Sequence, residues 1–492
     1  MMKRANLDVV VVGGGSAGLV AAAGCAALGA RTALVERDRL GGECTWTGCV
    51  PSKALLYIAR QAAMMREAAS LGIVPGALSI DFGNVMQAVR ATRREIYQLR
   101  ESPGHLKELG VRPLHAAARF LDANTLQIER DGRQRELTFR SAIVATGSRP
   151  YVPDIPGLDT VDYLTNEELF EIKRLPERLA IVGGGAVGVE TSQAFARLGS
   201  RVTIITRDDQ LLPGTDSDAS GVLVNALRRE GVDVRLNSTI ASVDKTNRQI
   251  SIEVTSEGGS SPISADQLLI ATGRKPNTAG LGLDAAGVRY DADGITVDAY
   301  CRTNIPHILA SGDVTPASNL THTGENMSKA AAINAVTRLP VWKYERDIVP
   351  YVIYTDPEIA TVGETGRELD EAGVAYDTIT LPYDRIDRAV IEHQAEGFVR
   401  VYHRSGRILG ATIVGLRAGE MIAEFTLAMQ HGLPLTGLSN TIHAYPTMML
   451  GTRRAADQFY ARSIKPWMVR GLKLLYGYRG DVPDYVGTRT IV

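Results

Sequence analysis

Residues 8–37 read DVVVVGGGSAGLVAAAGCAALGARTALVER, a pattern of apolar strand, glycine-rich turn, helix and second strand. The pattern returns without a gap in residues 178–207, RLAIVGGGAVGVETSQAFARLGSRVTIITR. Both copies contain G-x-G-x-x-G, in which the glycines permit a tight turn, a close pyrophosphate and a closely packed helix. These glycines are Gly13, Gly15 and Gly18 in the first copy and Gly183, Gly185 and Gly188 in the second. Two such copies predict an α/β protein with two Rossmann-like dinucleotide-binding domains.

The end of the second strand indicates which nucleotide each copy binds. In the first copy this position is Glu36, whose carboxylate can bond an adenosine ribose 2′-hydroxyl, as FAD or NAD requires. In the second copy it is Thr206, followed by Arg207, so a guanidinium replaces the carboxylate. Although Asp208 and Asp209 oppose this interpretation, the second copy favours NADPH over NADH.

Composition excludes several classes of protein. The 492 residues carry a net charge of −1, which gives no reason to expect a nucleic-acid partner. Four cysteines are too few for a secreted disulfide scaffold, and Cys25 and Cys301 are expected to be buried and inert. The uncharged run at 9–30 resembles a membrane helix, but its three consecutive glycines would break one. A cytoplasmic protein is therefore expected.

The other two cysteines lie in GGECTWTGCVPSK, residues 41–53. Cys44 and Cys49 are too far apart in sequence for a C-x-x-C site, and no Cys/His cluster completes a zinc site. A straight helix would place their Cα atoms ~8–9 Å apart, whereas a disulfide needs roughly 4.4–6.8 Å. The surrounding glycines permit the bend that a disulfide requires. A redox disulfide is preferred, and a structural disulfide and a metal site remain alternatives.

Further landmarks follow in order along the chain. SAIVATGSRP (141–150) and LLIATGRKPN (268–277) are apolar strands ending in A-T-G at Gly147 and Gly273, and TNIPHILASGDV (303–314) ends in Gly-Asp. Each A-T-G strand is expected to close one nucleotide-binding unit. Alternation in residues 397–415 predicts antiparallel strands, and a helix is expected near 418–431.

Together these segments resemble the pyridine nucleotide–disulfide oxidoreductases, the family of glutathione reductase, dihydrolipoamide dehydrogenase and mercuric reductase. PYVIYTDPEIATVG (350–363) is similar to the start of that family's dimerisation domain, and the resemblance extends from residue 7 to about 460. It implies a homodimer with a C-terminal α+β dimerisation domain. The implied domains are an FAD domain (1–150 and 272–345), an NAD(P) domain (151–271), the dimerisation domain (346–465) and a basic tail (466–492).

The resemblance also implies roles for individual residues. The first copy would bind FAD, with Glu36 on the ribose and Asp313 near the ribityl–phosphate region. Cys49 would lie against the flavin and Cys44 would face the substrate. Lys53 would lie near flavin N5 and pair with Glu190. Electrons would pass from the nicotinamide through the flavin to a Cys44–Cys49 disulfide. No metal site of the protein's own is expected.

One segment departs from the family pattern. Disulfide reductases of this family carry His-Pro-x-x-x-Glu, whose His, from the second subunit, is the acid–base partner of the outer thiol. Here IHAYPTMML (442–450) places Tyr445 at the His position and Leu450 at the Glu position. Tyrosine, with a pKa near ~10, is a poor base at neutral pH. His443 is interpreted as a displaced base or as a structural residue, and the Tyr445–Pro446 bond is expected to be cis.

Mercuric reductases also carry Tyr at this position, and QAFARLG (193–199) and DRAVIEHQAEGFVRV (387–401) resemble them too. No Cys follows Cys301, so their C-terminal cysteine pair is missing, as is their N-terminal C-x-x-C domain; both features oppose Hg(II) as the substrate.

The sequence therefore predicts a mercuric reductase-like, FAD-dependent NAD(P)H oxidoreductase that reduces a disulfide, a metal ion or a quinone through Cys44–Cys49. One alternative is a dihydrolipoamide dehydrogenase-type enzyme with an altered acid–base residue. Another is a flavin redox sensor without fast turnover. For the basic segment SIKPWMVRGLKLLYGYRG (463–480), packing on the dimer is favoured over attachment to an anionic membrane surface.

Overall fold

A computed structural model describes residues 6–74, 76–246, 249–316 and 320–480. The chain divides into two compact units. The first comprises residues 1–207 and 238–345, and the second comprises 208–237 and 346–492. The predicted tail falls partly outside the described residues, since 481–492 are not among them.

The described residues form fifteen α-helices. They are α1 Ser16–Ala27, α2 Gly42–Trp46, α3 Cys49–Glu67, α4 Phe82–Arg100, α5 Pro103–Glu108, α6 Asn166–Leu169, α7 Ala186–Leu198, α8 Ser217–Arg229, α9 Thr321–Thr337, α10 Gly366–Glu371, α11 Asp387–Ile391, α12 Ala418–Gln430, α13 Leu435–Asn440, α14 Leu450–Ser463 and α15 Pro466–Tyr476. No helix in this described part of the chain is long and apolar enough to cross a bilayer.

The strands are β1 Leu7–Val12, β2 Thr32–Glu36, β3 Val111–His115, β4 Ala117–Asp122, β5 Thr125–Arg130, β6 Arg133–Val144, β7 Ser148–Pro150, β8 Tyr163–Leu164, β9 Arg178–Val182, β10 Arg201–Ile205, β11 Asp233–Arg235, β12 Thr239–Thr246, β13 Gln249–Ser256, β14 Gly259–Ala265, β15 Gln267–Ile270, β16 Arg274–Pro276, β17 Tyr290–Asp291, β18 Gly294–Ile295, β19 Ile308–Ala310, β20 Tyr351–Ile353, β21 Glu358–Gly363, β22 Asp377–Pro382, β23 Phe398–Arg404 and β24 Arg407–Gly415.

The first sequence copy forms the centre of a mostly parallel sheet in the first unit. Strand order is β3-β2-β1-β6, with β19 parallel to β6 and the hairpin partners β5 and β4 beyond. Strand β1 is a run of valines because both of its faces are covered. One apolar cluster contains Val10 and Val12 and another contains Val9 and Val11, so the core lies on both sides of the sheet.

The second copy repeats this arrangement. Strands β9 and β10 are parallel and joined by α7, and β15 and β8 continue the parallel sheet on the other side of β9. An antiparallel three-stranded sheet, β12-β13-β14, and the pair β7–β16 complete this part of the first unit. The two predicted strand–turn–helix–strand copies are therefore both present.

The second unit contains an antiparallel sheet of order β20-β21-β24-β23-β22. Strands β23 and β24 confirm the antiparallel pair predicted for 397–415, and α12 confirms the helix predicted near 418–431. The apolar face of α12 packs on this sheet through Met421, Ile422 and Phe425. The peptide bond Tyr445–Pro446 is cis. The α/β fold class with an α+β C-terminal part is confirmed; the predicted domain boundaries remain a prediction.

Candidate functional site

Glycine is required at two positions of the first G-x-G-x-x-G turn. A Cβ on Gly13, whose φ is +107°, would lie 2.2 Å from the Ala145 carbonyl oxygen, and one on Gly18 would lie 1.8 Å from the Gly13 carbonyl oxygen. Gly15, by contrast, faces space, since its Cβ would approach only Gly42 Cα, at 3.9 Å. The turn thus leaves room for a ligand at the N-terminus of α1, where backbone N–H groups favour a pyrophosphate.

Glu36 lies at the rim of this turn. One of its carboxylate oxygens accepts a hydrogen bond from the Gly14 N–H at 2.6 Å and the other accepts one from the Asp38 N–H at 2.7 Å. These bonds fix a carboxylate beside the open turn, where a ribose hydroxyl can be bound. The residues present fit an FAD adenosine and pyrophosphate.

The second turn repeats the same constraints. A Cβ on Gly183 would lie 2.2 Å from the Ala271 carbonyl oxygen, and one on Gly188 would lie 2.0 Å from the Gly183 carbonyl oxygen. Gly185 has open space around it, and α7 begins there without a side-chain cap. Arg207, two residues after the end of β10, is exposed. This turn fits a second dinucleotide.

The cysteine segment bends as its glycines allow. Gly41 and Gly42 have φ values of +94° and +56°, and Gly48 interrupts the helical backbone between α2 and α3. A Cβ on Gly42 would lie 2.6 Å from Gly15 Cα, so the cysteine segment touches the first dinucleotide turn. The segment 41–53 therefore lies directly beside the FAD cradle.

Both cysteines are free thiols that contact one hydroxyl. Thr321 Oγ1, at the start of α9, lies 3.5 Å from Cys44 Sγ and 3.4 Å from Cys49 Sγ. Cys44 is half-buried, and Cys49 is exposed and begins α3. Sequence reasoning missed Thr321, because nothing in the motif signals a contact 272 positions away.

The two thiols differ in acidity. A hydrogen bond from the Cys44 thiol lowers the pKa of Cys49, and the Thr321 hydroxyl and the charge of Lys53 lower it further. The same bond and burial raise the pKa of Cys44. The position of Cys49 at a helix N-terminus also favours its thiolate. In the reduced pair the proton therefore resides on Cys44 and the negative charge on Cys49.

Lys53 and Glu190 form an ion pair near these thiols. Lys53 Nζ on α3 lies 2.8 Å from Glu190 Oε2 on α7, and the Glu190 side chain is only 5% exposed. The pair joins the helix that carries Cys49 to the helix of the second dinucleotide turn. It orients the ammonium group, because a charge-assisted hydrogen bond is stronger than a neutral one.

Replacing Glu190 with glutamine is expected to slow flavin reduction by NADPH about tenfold, because Lys53 loses the charge that orients it. Stopped-flow absorbance measures the rate, and bound FAD should stay unchanged. Glu177→Gln, which removes an exposed ion pair with Arg201, is the control. Equal rates of flavin reduction in Glu190→Gln and the control would show that the Lys53–Glu190 ion pair does not support this step.

A polar cluster joins the cysteine segment to both A-T-G turns. Glu43 accepts two hydrogen bonds from Arg274, one of 2.6 Å, and another from Asn166 at 2.9 Å. Arg274 Nε donates to Ser148 Oγ at 2.7 Å, and Ser148 donates to Asp313 at 2.8 Å. Burial raises the pKa of Glu43 to about 7 despite the opposing effect of Arg274.

This cluster connects Asp313 to the segment next to Gly147 and Gly273, whose φ values of +66° and +144° are left-handed. The sequence analysis named Asp313 but missed Glu43 and Arg274. The carboxylate between Gly42 and Cys44 was the available signal, since a charge in a glycine-rich buried segment requires a partner.

In the second unit, Tyr445 is 69% exposed and lies near Asp387. Arg454 donates to both Asp387 oxygens, at 3.0 and 3.3 Å. The neighbouring Asp387 carboxylate raises the pKa of the Tyr445 phenol. Tyr445 is therefore a protonated phenol at neutral pH.

His443 has a different environment from Tyr445. Its Nε2 lies 2.7 Å from Glu424 Oε1, and its Nδ1 lies 2.9 Å from the Thr441 carbonyl oxygen. The side chain is 6% exposed, and Thr452 also donates to Glu424. Both ring nitrogens are therefore engaged, one by a carboxylate and the other by a backbone carbonyl oxygen.

The comparisons with known proteins agree with one another. A family profile described as pyridine nucleotide-disulphide oxidoreductase matches residues 7–333, and the profile of that family's dimerisation domain matches 349–456. A mercuric reductase from Bacillus cereus is 34% identical over 461 residues, covering 92% of this chain and 72% of that protein. A dihydrolipoamide dehydrogenase from Chaetomium thermophilum is 33% identical over 473 residues, covering 94% and 92% respectively.

Two solved structures are similar along nearly the whole chain. A Cu(II) complex of a cysteine-to-serine variant of RclA, an HOCl-induced flavoprotein disulfide reductase from Escherichia coli, has a TM-score of 0.83 at 27% identity. It covers 94% of this chain and 100% of that one. LpdA from Mycobacterium tuberculosis has a TM-score of 0.84 at 27% identity, covering 92% and 99%.

Proposed function

Since the chain belongs to the pyridine nucleotide-disulphide oxidoreductase family, a family of FAD-dependent enzymes that use NAD(P)H, we propose that it passes electrons through Cys44 and Cys49 to a metal ion. The observation that carries the proposal is the pair of thiols beside the FAD cradle, with Thr321 in contact with both. The flavin would supply two-electron chemistry between the nicotinamide and this pair.

The protein's own residues hold the reduced pair ready for oxidation. A hydrogen bond from the Cys44 thiol stabilises the negative charge on Cys49, and the Lys53 ammonium group also favours the Cys49 thiolate. Closing the disulfide releases two electrons and the proton of Cys44. One Hg(II) ion or two Cu(II) ions take the two electrons, and the proton passes to solvent.

A metal ion is the acceptor class that Tyr445 supports best. We assign Tyr445 of the second subunit to the acceptor site facing Cys44, and the matched dimerisation domain supports such a homodimer. A phenol oxygen carries two lone pairs that can contact an acceptor. The lone pairs can coordinate a cation. Reduction of a disulfide, by contrast, releases a thiolate that needs a proton from a general acid.

An acceptor screen tests this assignment. Under NADPH, the FAD-loaded protein is expected to reduce Cu(II) or Hg(II) at least tenfold faster than lipoamide, glutathione disulfide or a quinone. In Tyr445→His, which introduces a general acid, disulfide reduction is expected to rise. A wild-type enzyme that prefers a disulfide or quinone would contradict the metal-ion assignment.

A disulfide acceptor is the second candidate, and the His443–Glu424 pair is the observation that favours it. A histidine held by a carboxylate is the usual form of a catalytic acid–base pair. If this pair serves a disulfide such as lipoamide, His443→Gln abolishes that reduction while Tyr445→Phe leaves it unchanged.

Arg207 is proposed to select NADPH. Arg207→Gln is expected to raise the KM for NADPH roughly 10–100-fold and to leave the KM for NADH unchanged, because only NADPH carries a 2′-phosphate for the guanidinium. Arg174→Gln, at another exposed arginine, is the matched control for surface charge. Wild-type preference for NADH would refute the assignment.

A further inference from the structure

Most residues of the helix α15, Pro466–Tyr476, are exposed, and the others are partly exposed. None of its residues is buried, although it carries Trp467, Leu472, Leu474, Leu475 and Tyr476. Leu474 is 86% exposed. So many exposed apolar residues on one helix mark an interaction surface, because monomeric soluble proteins rarely expose large contiguous apolar patches.

The apolar and basic residues of α15 occupy different sides. At about 100° per residue, Trp467, Leu474, Leu475, Leu472 and Tyr476 share an arc of about 200°. Arg470 and Lys473 lie on the remaining side. A helix with aromatic and leucine residues on one face and Lys or Arg on the other is the type that lies in a membrane interface.

The charge around α15 has a single sign. Residues 458–480 contain no Asp or Glu, whereas they include five basic residues, Arg462, Lys465, Arg470, Lys473 and Arg479. The whole chain, by contrast, has a net charge of −1. The segment therefore concentrates positive charge beside exposed apolar groups, which complements an anionic lipid surface.

We propose that α15 is a peripheral anchor that binds the surface of an anionic membrane. A second copy of this chain is a poorer partner for two reasons. The matched dimerisation domain ends at residue 456, before α15 begins. Pairing α15 with its own copy would also place like charges together, which opposes association.

Vesicle sedimentation tests the proposal on the full-length, FAD-loaded protein. Binding is expected to phosphatidylcholine vesicles that contain roughly 30% phosphatidylserine, and to weaken as salt rises, because the attraction is electrostatic. The triple variant Lys465→Gln, Arg470→Gln, Lys473→Gln should reduce the partition coefficient about 100-fold, at about fivefold per charge. Trp467→Ser with Leu474→Ser and Leu475→Ser should abolish binding.

The matched control is Arg130→Gln, Arg133→Gln, Arg135→Gln, which removes three exposed charges from the β5–β6 hairpin and should bind as wild type does. The NADPH-dependent rate of flavin reduction, unchanged in all variants, checks the fold. Absence of wild-type binding, or equal losses in the control, overturns the proposal. So does dissociation of the dimer by the Trp467, Leu474 and Leu475 substitutions, because α15 would then belong to the subunit interface.

Discussion

Replacing Cys49 with serine is expected to lower acceptor turnover about 1,000-fold or more while leaving flavin reduction by NADPH within about twofold of the wild-type rate. The reason is the order of the relay. Flavin reduction needs only the nicotinamide beside the flavin, whereas the acceptor step needs the disulfide to open and close. Stopped-flow absorbance measures the first step, and steady-state oxidation of NADPH measures the second.

Cys25→Ser is the matched control for the loss of a thiol. Cys25 is buried on α1 and burial raises its pKa to about 12, so it is inert. The control should turn over as wild type does. If Cys49→Ser keeps wild-type turnover, electrons leave the flavin without the cysteine pair, and a direct flavin-to-acceptor reductase becomes the better description.

Mixing two inactive homodimers is expected to restore activity if Tyr445 acts on the partner's Cys44. Cys44→Ser removes the outer thiol, and Tyr445→Phe removes the phenol and should lower metal-ion turnover roughly 10–100-fold. In a hybrid dimer, the intact Cys44 of one subunit faces the intact Tyr445 of the other. The second site carries both substitutions and is inactive.

Unfolding and refolding an equal mixture produces hybrids in about half of the dimers by random association. One site in each hybrid is complete, so roughly a quarter of wild-type turnover is expected. The two variants refolded separately are the controls. Activity no higher than the mean of these controls would mean that Tyr445 serves its own subunit or has no part in the acceptor step.

The glycine turns and their strands could be predicted because their requirements are local. Gly13 and Gly183 each approach a carbonyl oxygen so closely that no other residue fits, and the surrounding β-branched runs specify parallel strands. The alternating residues of β23 and β24 were equally informative, since one face of that sheet packs on α12. These features follow from spacing within about thirty residues.

The polar contacts of the site could not be predicted, because they join distant segments. Thr321 reaches the two cysteines only once α9 packs beside α1, and Arg274 meets Glu43 only through the A-T-G turn of the second copy. The sequence named His443 but not its partner, Glu424 on α12, which binds the imidazole. Such pairings depend on tertiary packing that periodicity does not encode.

Anaerobic titration with NADPH tests the central claim, that Cys49 is a thiolate against the flavin in the reduced enzyme. The account predicts a long-wavelength absorbance band in the wild type after two electrons per subunit, and no band in Cys49→Ser. In Cys44→Ser, which cannot form the disulfide, the band should be present before NADPH is added and should disappear as NADPH reduces the flavin. Because the pKa of Cys49 is lowered, the band should persist below the ordinary thiol value of about 8.5. Reduction of the wild-type flavin without this band, at any pH above 7, would contradict the claim.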